Sequence, residues 1–234
     1  MKRPRPYGAF FNSLCLCLLM IVVCLIAACS GLPTLQPVPV SSNDPLSEAC
    51  RAVFPQGKWQ FTHAIEAAFP GGGESLLMGV TVIDPAQQTV DCALMTVEGF
   101  VLLQAHMGKT LRVERAVSPF DREGFAAGML ADIRLMFLEP AAEHIQTGWP
   151  GGQAAPDDKP VCRYIGKAGV TTDVRPGSGW QISRYAPRGN LVRTVVAEPT
   201  GGQAGFPGRL RLRATGPAGY TLEMKLLSAE RITD

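Results

Sequence analysis

Residues 59–69 alternate. Trp59, Phe61, His63, Ile65, Ala67 and Phe69 share one parity, and Lys58, Gln60, Thr62 and Glu66 share the other. Successive side chains of a strand point to opposite faces, so this period of two marks a strand with one face buried and one wet. Pro70-Gly71-Gly72-Gly73 then turns the chain. Residues 76–83 form a β-rich apolar run closed by Asp84-Pro85, and 89–97 form another closed by Glu98-Gly99. Residues 100–105 and 111–113 continue the pattern. Strands at about 10- to 12-residue spacing, joined by tight turns, predict an antiparallel meander.

The period then changes. After Pro119-Phe120-Asp121, the residues Phe125, Met129, Ile133 and either Met136 or Phe137 fall three or four apart, which gives one apolar stripe on a helix over 122–138. Asp121 is placed to cap it and Glu123 to favour its first turn. Gly124 and Gly128 weaken it by about 1 kcal/mol each relative to alanine, so packing must hold it. Residues 133–138 also read as a strand, and Pro140 ends either. Residues 147–160 read as a Gly/Pro loop. Strands resume at 161–165, 170–174, 180–185 and 191–197, and after a second Gly-rich loop (199–208) at 209–214 and 220–227, about ten in all. The expected fold is mainly β with one or two helices: an antiparallel, half-barrel-like sheet covered by a helix.

The N-terminus has a different character. Lys2, Arg3 and Arg5 precede an uncharged apolar run over 14–28, which ends in Leu25-Ile26-Ala27-Ala28-Cys29. A membrane-spanning helix needs about 20 apolar residues, so the run suits a secretory signal better. A cysteine after two small residues resembles a bacterial lipoprotein signal, in which Cys29 becomes the acylated first residue. Ser30 behind it resembles lipoproteins sorted to the outer membrane. The expected address is therefore the envelope of a Gram-negative bacterium, anchored by lipid and facing the periplasm. Pro33, Pro37, Pro39 and Pro45 stiffen the stretch behind Ser30. The predicted organisation is a signal over 1–28, a tether over 29–49 and a single β-rich domain over 50–234.

Three of the 22 Lys and Arg precede Cys29 and none of the 20 Asp and Glu does. That leaves 19 bases against 20 acids, about one net negative charge, so no electrostatic footprint for nucleic acid exists. Arg209, Arg211 and Arg213 alternate with Leu210 and Leu212, which reads as the wet face of a strand. Of the cysteines after Cys29, Cys92 reads as a buried small hydrophobe. Cys50 and Cys162, near loop boundaries, are the candidate disulfide in an oxidising compartment.

Catalytic patterns are missing. His63, His106 and His144 form no HExxH or HxH pair, and Gly177-Ser178-Gly179 lacks the spacing of a nucleophile elbow. No phosphate-binding Gly motif opens a helix. Asp157-Asp158 lacks the alternate ligands of a calcium loop. No enzyme, cofactor or metal is expected. A hydrolase around His63 or His106 with Glu98 stays as an alternative that requires those groups to meet.

Apolar side chains are what remain. Phe100, Leu102, Phe125, Met129, Ile133 and Met136 are the candidate ligand-binding residues, because a helix stripe over an incompletely closed sheet can enclose an apolar site. The same residues also read as ordinary core. Gly99-Phe100-Val101-Leu102, the helical stretch through Ala131-Asp132-Ile133-Arg134-Leu135-Met136-Phe137-Leu138-Glu139-Pro140, and the closing Arg209-Leu210-Arg211-Leu212 with Gly219-Tyr220-Thr221-Leu222 are similar to the lipoprotein-localisation carrier and receptor pair, LolA and LolB, and to a related group of small lipoproteins. The resemblance implies a half-barrel with a helical lid over a cavity for acyl chains. It points to a membrane-anchored protein that binds an apolar ligand, such as the acyl chains of a lipid or lipoprotein, and serves lipid or lipoprotein placement. The alternative is a structural lipoprotein that holds an envelope protein partner.

Overall fold

The computed structural model describes residues 31–37, 45–69, 73–151, 159–199, 201–216 and 219–233. The predicted signal segment and Cys29 lie outside them. Among the described residues the chain builds one sheet of thirteen strands. A first meander comprises β2 (Trp59–Ala68), β3 (Glu74–Asp84), β4 (Thr89–Met95), β5 (Val101–Met107) and β6 (Leu111–Ala116). A second comprises β7 (His144–Pro150), β8 (Val161–Ile165), β9 (Thr171–Arg175), β10 (Gln181–Tyr185), β11 (Leu191–Glu198), β12 (Arg209–Ala214) and β13 (Tyr220–Arg231). The last strand, β13, pairs antiparallel with β2, with Met224 opposite Ile65, and so seals the two meanders into one surface. A short strand β1 (Leu35–Pro37) adds to the outer side of β7, which leaves β1 and β6 as the edges.

Two helices accompany the sheet: α1 (Pro45–Arg51) and α2 (Phe125–Phe137). The chain leaves β6 at one edge, passes through α2 and enters β7 beside the other edge, so α2 crosses the inner face. Alternation sets that face. On β12 Leu210, Leu212 and Ala214 are buried while Arg209, Arg211 and Arg213 are exposed. On β2 Phe61, His63 and Ala67 point inward. From α2, Leu130, Ile133, Met136 and Phe137 are buried against them.

Several expectations need correction. Asp121 does not cap α2. The cap position is Gly124, at φ 78, a left-handed conformation that suits glycine, and no side chain caps the helix. Residues 133–137 are helical, not a strand. The strand count exceeds ten because β1 and β7 fall in segments read as tether and loop. Gly148 explains the second miss: a Cβ there would lie 2.5 Å from the carbonyl oxygen of Gln36, so the glycine that looks like a loop signal is what admits the β1 backbone.

The predicted tether over 29–49 is, in its described parts, part of the body. Leu35–Pro37 are β1, and Arg163 Nη1 donates to the Pro33 carbonyl at 2.8 Å. Arg163 is itself buried, with Nε and Nη2 each 2.7 Å from an oxygen of buried Asp173. Further on, α1 carries Cys50, bonded to Cys162 of β8 across 112 residues. The domain therefore begins before residue 50.

Candidate apolar binding site

Beneath α2, Phe61 and His63 of β2, Leu210 of β12 and Leu226 of β13 face Met136 and Phe137. The rings interlock: Phe137 stacks on Phe61 with centroids 4.9 Å apart, and His63 lies 5.9 Å from Phe137. The space left among them is about 10 Å³, at the lower limit for a single water. This interior is filled by side chains.

It borders a much larger space. A cleft of about 450 Å³ opens between α1, the β9–β10 turn and the β11–β12 loop, lined by residues including Ala49, Val53, Ser178, Trp180, Phe206 and Pro207. Val53, Trp180, Phe206 and Pro207 line both the cleft and the interior void. Phe206 is the plug between them. Its ring meets Trp59 and Phe61 edge-on, at 4.8 Å from each. The loop that carries it is tight. Phe206 N–H donates to the Gln203 carbonyl at 2.8 Å, and Gln203 Nε2 donates to the Leu227 carbonyl of β13 at 3.2 Å. A Cβ on Gly202 would lie 2.1 Å from the Phe206 carbonyl oxygen, so only glycine fits there.

Polar contacts clasp α2 on two sides. On one, Arg193 Nε of β11 donates to buried Asp132 Oδ1 at 2.9 Å, and the Tyr220 hydroxyl of β13 donates to Asp132 Oδ2. The Arg193 guanidinium also lies 5.4 Å from the centre of the Tyr220 ring. Burial, and then the Asp132 charge, push the Tyr220 phenol up from its ordinary value. On the other side, Arg134 Nη1 donates to the Gln88 carbonyl in the β3–β4 turn at 2.7 Å. Asp132, flanked by Ala131 and Ile133 in the sequence, is therefore the centre of a network.

Burial pushes the His63 imidazole down to about 4, which keeps it neutral near neutral pH. Burial pushes the Cys92 thiol up to about 12, as befits a small hydrophobe rather than a nucleophile.

The structure divides the six sequence-predicted ligand residues. Ile133 and Met136 lie in the core beneath α2. Phe125 and Met129 are half-buried at its margin, with Phe125 edge-on to Phe120 at 5.2 Å. Leu102 is also marginal; its neighbour Leu103 is the fully buried residue of β5. Phe100 does not join them. It is 52% exposed at the β4–β5 turn, under the Arg115 guanidinium at 5.1 Å. The sequence pattern does not single out Phe61, Trp180 and Phe206 as parts of a site. Phe61 is legible from its parity in β2, whereas Phe206 stands alone in a Gly/Pro loop with no periodicity to place it.

The candidate hydrolytic groups do not assemble. His63 faces inward, whereas His106 lies on the outer face with Nδ1 2.7 Å from Asp91 Oδ1, and Glu98 sits exposed in the β4–β5 turn. Among the described residues no cluster of three potential metal ligands occurs, and no helix is long and apolar enough to cross a membrane.

No protein-family model matches the chain, and no curated protein matches it in sequence. The fold does have a counterpart. The crystal structure of a LolA superfamily protein from Nitrosomonas europaea matches at a TM-score of 0.56 and 16% identity, covering 83% of this chain and 94% of that one. This chain has a LolA-like fold. At 16% identity the likeness extends to the arrangement of sheet and helix; the chemistry must come from this chain's own residues.

Proposed function

We propose that the protein is a lipid-anchored envelope protein that takes an apolar ligand, such as the acyl chains of a lipid or lipoprotein, beneath α2. In this reading Cys29 carries the anchor, and the protein serves lipid or lipoprotein placement at the outer membrane. The observation that carries the reading is the thin partition between the cleft and the apolar interior, with Phe206 as its central ring. Swinging Phe206 aside would deepen the 450 Å³ cleft by the volume of its ring, down to an apolar wall of Phe61, Met136, Phe137 and Leu226. The LolA-like fold supports the same use of the space.

Titration of the purified full chain with a fluorescent fatty acid tests this. Saturable binding that an unlabelled fatty acid displaces is expected, with faster uptake by a Phe206→Ala variant. Absence of binding by both proteins would end the proposal. Mass spectrometry of the mature protein tests the anchor separately, by the mass of acyl chains on Cys29.

A second reading, the structural lipoprotein that holds a protein partner, has one observation in its favour. The edge strand β6 is exposed along most of its length, with Leu111 40% and Val113 44% exposed between charged Arg112, Glu114 and Arg115. An unpaired edge of this kind can accept a partner strand.

A further inference from the structure

The position of residues 31–37 has a consequence for how the molecule sits on its membrane. This strap is held along its length. Leu35–Pro37 pair with β7, Gly151 N–H donates to the Thr34 carbonyl at 3.0 Å, and Arg163 holds the Pro33 carbonyl. At its start, the strap meets the β10–β11 turn. Gly189 sits at φ +84, and a Cβ built on it would lie 2.6 Å from Leu32 N and 3.4 Å from the Gly31 carbonyl carbon. Only glycine allows the strap to approach so closely. Cys29 is two residues from Gly31, and two residues span at most about 7 Å. The headgroup layer of one leaflet is itself about 5–8 Å thick. An acyl chain on Cys29 therefore leaves the β10–β11 turn no room to stand away from the bilayer.

The chemistry of that tip fits its place. The β8–β9 and β10–β11 turns lie side by side: a Cβ built on Gly169 would be 3.7 Å from the Pro187 Cβ. Together they expose Lys167 and Arg188, with Pro187 and Leu191 beside them, and Leu191 is 41% exposed. Residues 165–171 and 185–191 hold no acid. Bases interleaved with apolar side chains are what an anionic headgroup layer attracts. Two acids flank the tip: Glu143, whose backbone N–H donates to the Ile165 carbonyl, and Glu139, which lines one pocket with Lys167 and Arg184.

We propose that the end of the sheet formed by the β8–β9 and β10–β11 turns rests on an anionic phospholipid bilayer, with Lys167 and Arg188 at the phosphates and Pro187 and Leu191 at the interface. The proposal rests on the acylation of Cys29 in the functional reading above. It adds an orientation. The 450 Å³ cleft lies at the opposite ends of β10 and β11, beside the β9–β10 turn and the β11–β12 loop, so it faces away from the bilayer. An apolar ligand would then arrive from the aqueous side rather than from the membrane that holds the anchor.

The test uses the full mature chain, reconstituted in vesicles of phosphatidylglycerol and phosphatidylethanolamine. Asn190→Cys and Lys167→Cys each offer an exposed label site at the tip, and Ala86→Cys offers one in the β3–β4 turn at the far end. Native Cys92 is buried and Cys50 is bonded to Cys162, so a thiol-reactive fluorophore finds the introduced site. Lipids bearing a nitroxide on the headgroup should quench the label at 190 or 167 and leave the label at 86 unquenched. Replacing Lys167 and Arg188 by Gln should weaken the preference for anionic over zwitterionic lipid roughly fivefold per base. With Cys29 acylated, equal quenching at both ends, or quenching at 86 alone, overturns the orientation and leaves the ligand reading standing. A bare Cys29 overturns the anchor and the orientation together.

Discussion

Replacing His63 with leucine should flatten the acid limb of the protein's stability profile, by an amount set by the packing. In the folded chain the imidazole lies buried between Phe61 and Phe137, and burial holds it at about 4 against 6.5 for an exposed histidine. Above pH 6.5 the ring is neutral in both states. As the pH falls below 6.5 the unfolded chain binds a proton that the folded chain refuses until about pH 4. Stability is therefore complete above 6.5 and drains away across the window from 6.5 to 4. Linkage gives a loss of about 2 kcal/mol at pH 5 and about 3 kcal/mol at pH 4. Urea unfolding of wild type and His63→Leu at about pH 7.5 and pH 5 measures it. Carboxylates titrate in both proteins and cancel in the difference. The gap should move in the variant's favour by about 2 kcal/mol between those conditions. A gap that does not change with pH would mean that His63 reaches water, and the filled interior beneath α2 would be wrong.

The same packing sets three further outcomes. Reduction of Cys50–Cys162, or a Cys50→Ala/Cys162→Ala variant, opens a loop of 112 residues and should cost roughly 4–5 kcal/mol in the chain-entropy account, read from the denaturation midpoint; an unchanged midpoint would place α1 off the body. Asp132→Ala strips the acceptor from Arg193 and Tyr220 and should cost about 2–3 kcal/mol, below the range for a fully buried pair because the Arg193 side chain is 26% exposed. Hydrogen exchange in α2 should accelerate in that variant and hold steady in β3 and β4. Phe206→Ala removes two edge-on ring contacts and should cost about 2 kcal/mol, as measured by urea unfolding.

The β architecture was legible wherever burial was one-sided. The strict parity of Trp59–Ala68 and of Arg209–Ala214 appears because each strand has one wet face, and the residues alternate accordingly. β8 and β9 show why alternation fails elsewhere. Val161, Cys162, Arg163 and Tyr164 are all buried: Pro33, ahead of β1, meets Arg163 on one face, and α1 is bonded to Cys162 on the other. An arginine and an aspartate then sit inside, satisfied by each other, where polarity alone would place them in water. β1 and β7 were missed because Pro37, Gly148 and Pro150 carry loop signals, whereas at a sheet edge proline is tolerated and glycine permits close approach. The apolar stripe of α2 was legible at Ile133 and Met136. What lies opposite it was not, since Phe61, Leu210 and Leu226 come from strands far apart in sequence, brought together by the β13–β2 pairing. The register of a long-range seam of that kind leaves no local trace.

The energetics of opening distinguish two routes into the proposed site. An acyl chain of about a dozen methylenes gains on the order of 10 kcal/mol on leaving water. Lifting α2 would break the Asp132 network and the Arg134–Gln88 contact, and would expose Leu130, Ile133, Leu135, Met136 and Phe137. At about 1.5–3 kcal/mol for each buried side chain, that exposure alone is on the order of 10 kcal/mol and cancels the gain. Swinging Phe206 out of its seat costs about 2–3 kcal/mol and leaves most of the gain in place. The ligand would then lie along the cleft and in the seat that Phe206 vacates, against Trp180 and Val53, with α2 still clasped to the sheet. Stopped-flow uptake of the fluorescent fatty acid separates the routes. Phe206→Ala should raise the association rate with Asp132→Ala near wild type; the reverse pattern would make α2 the moving part and Phe206 an ordinary wall.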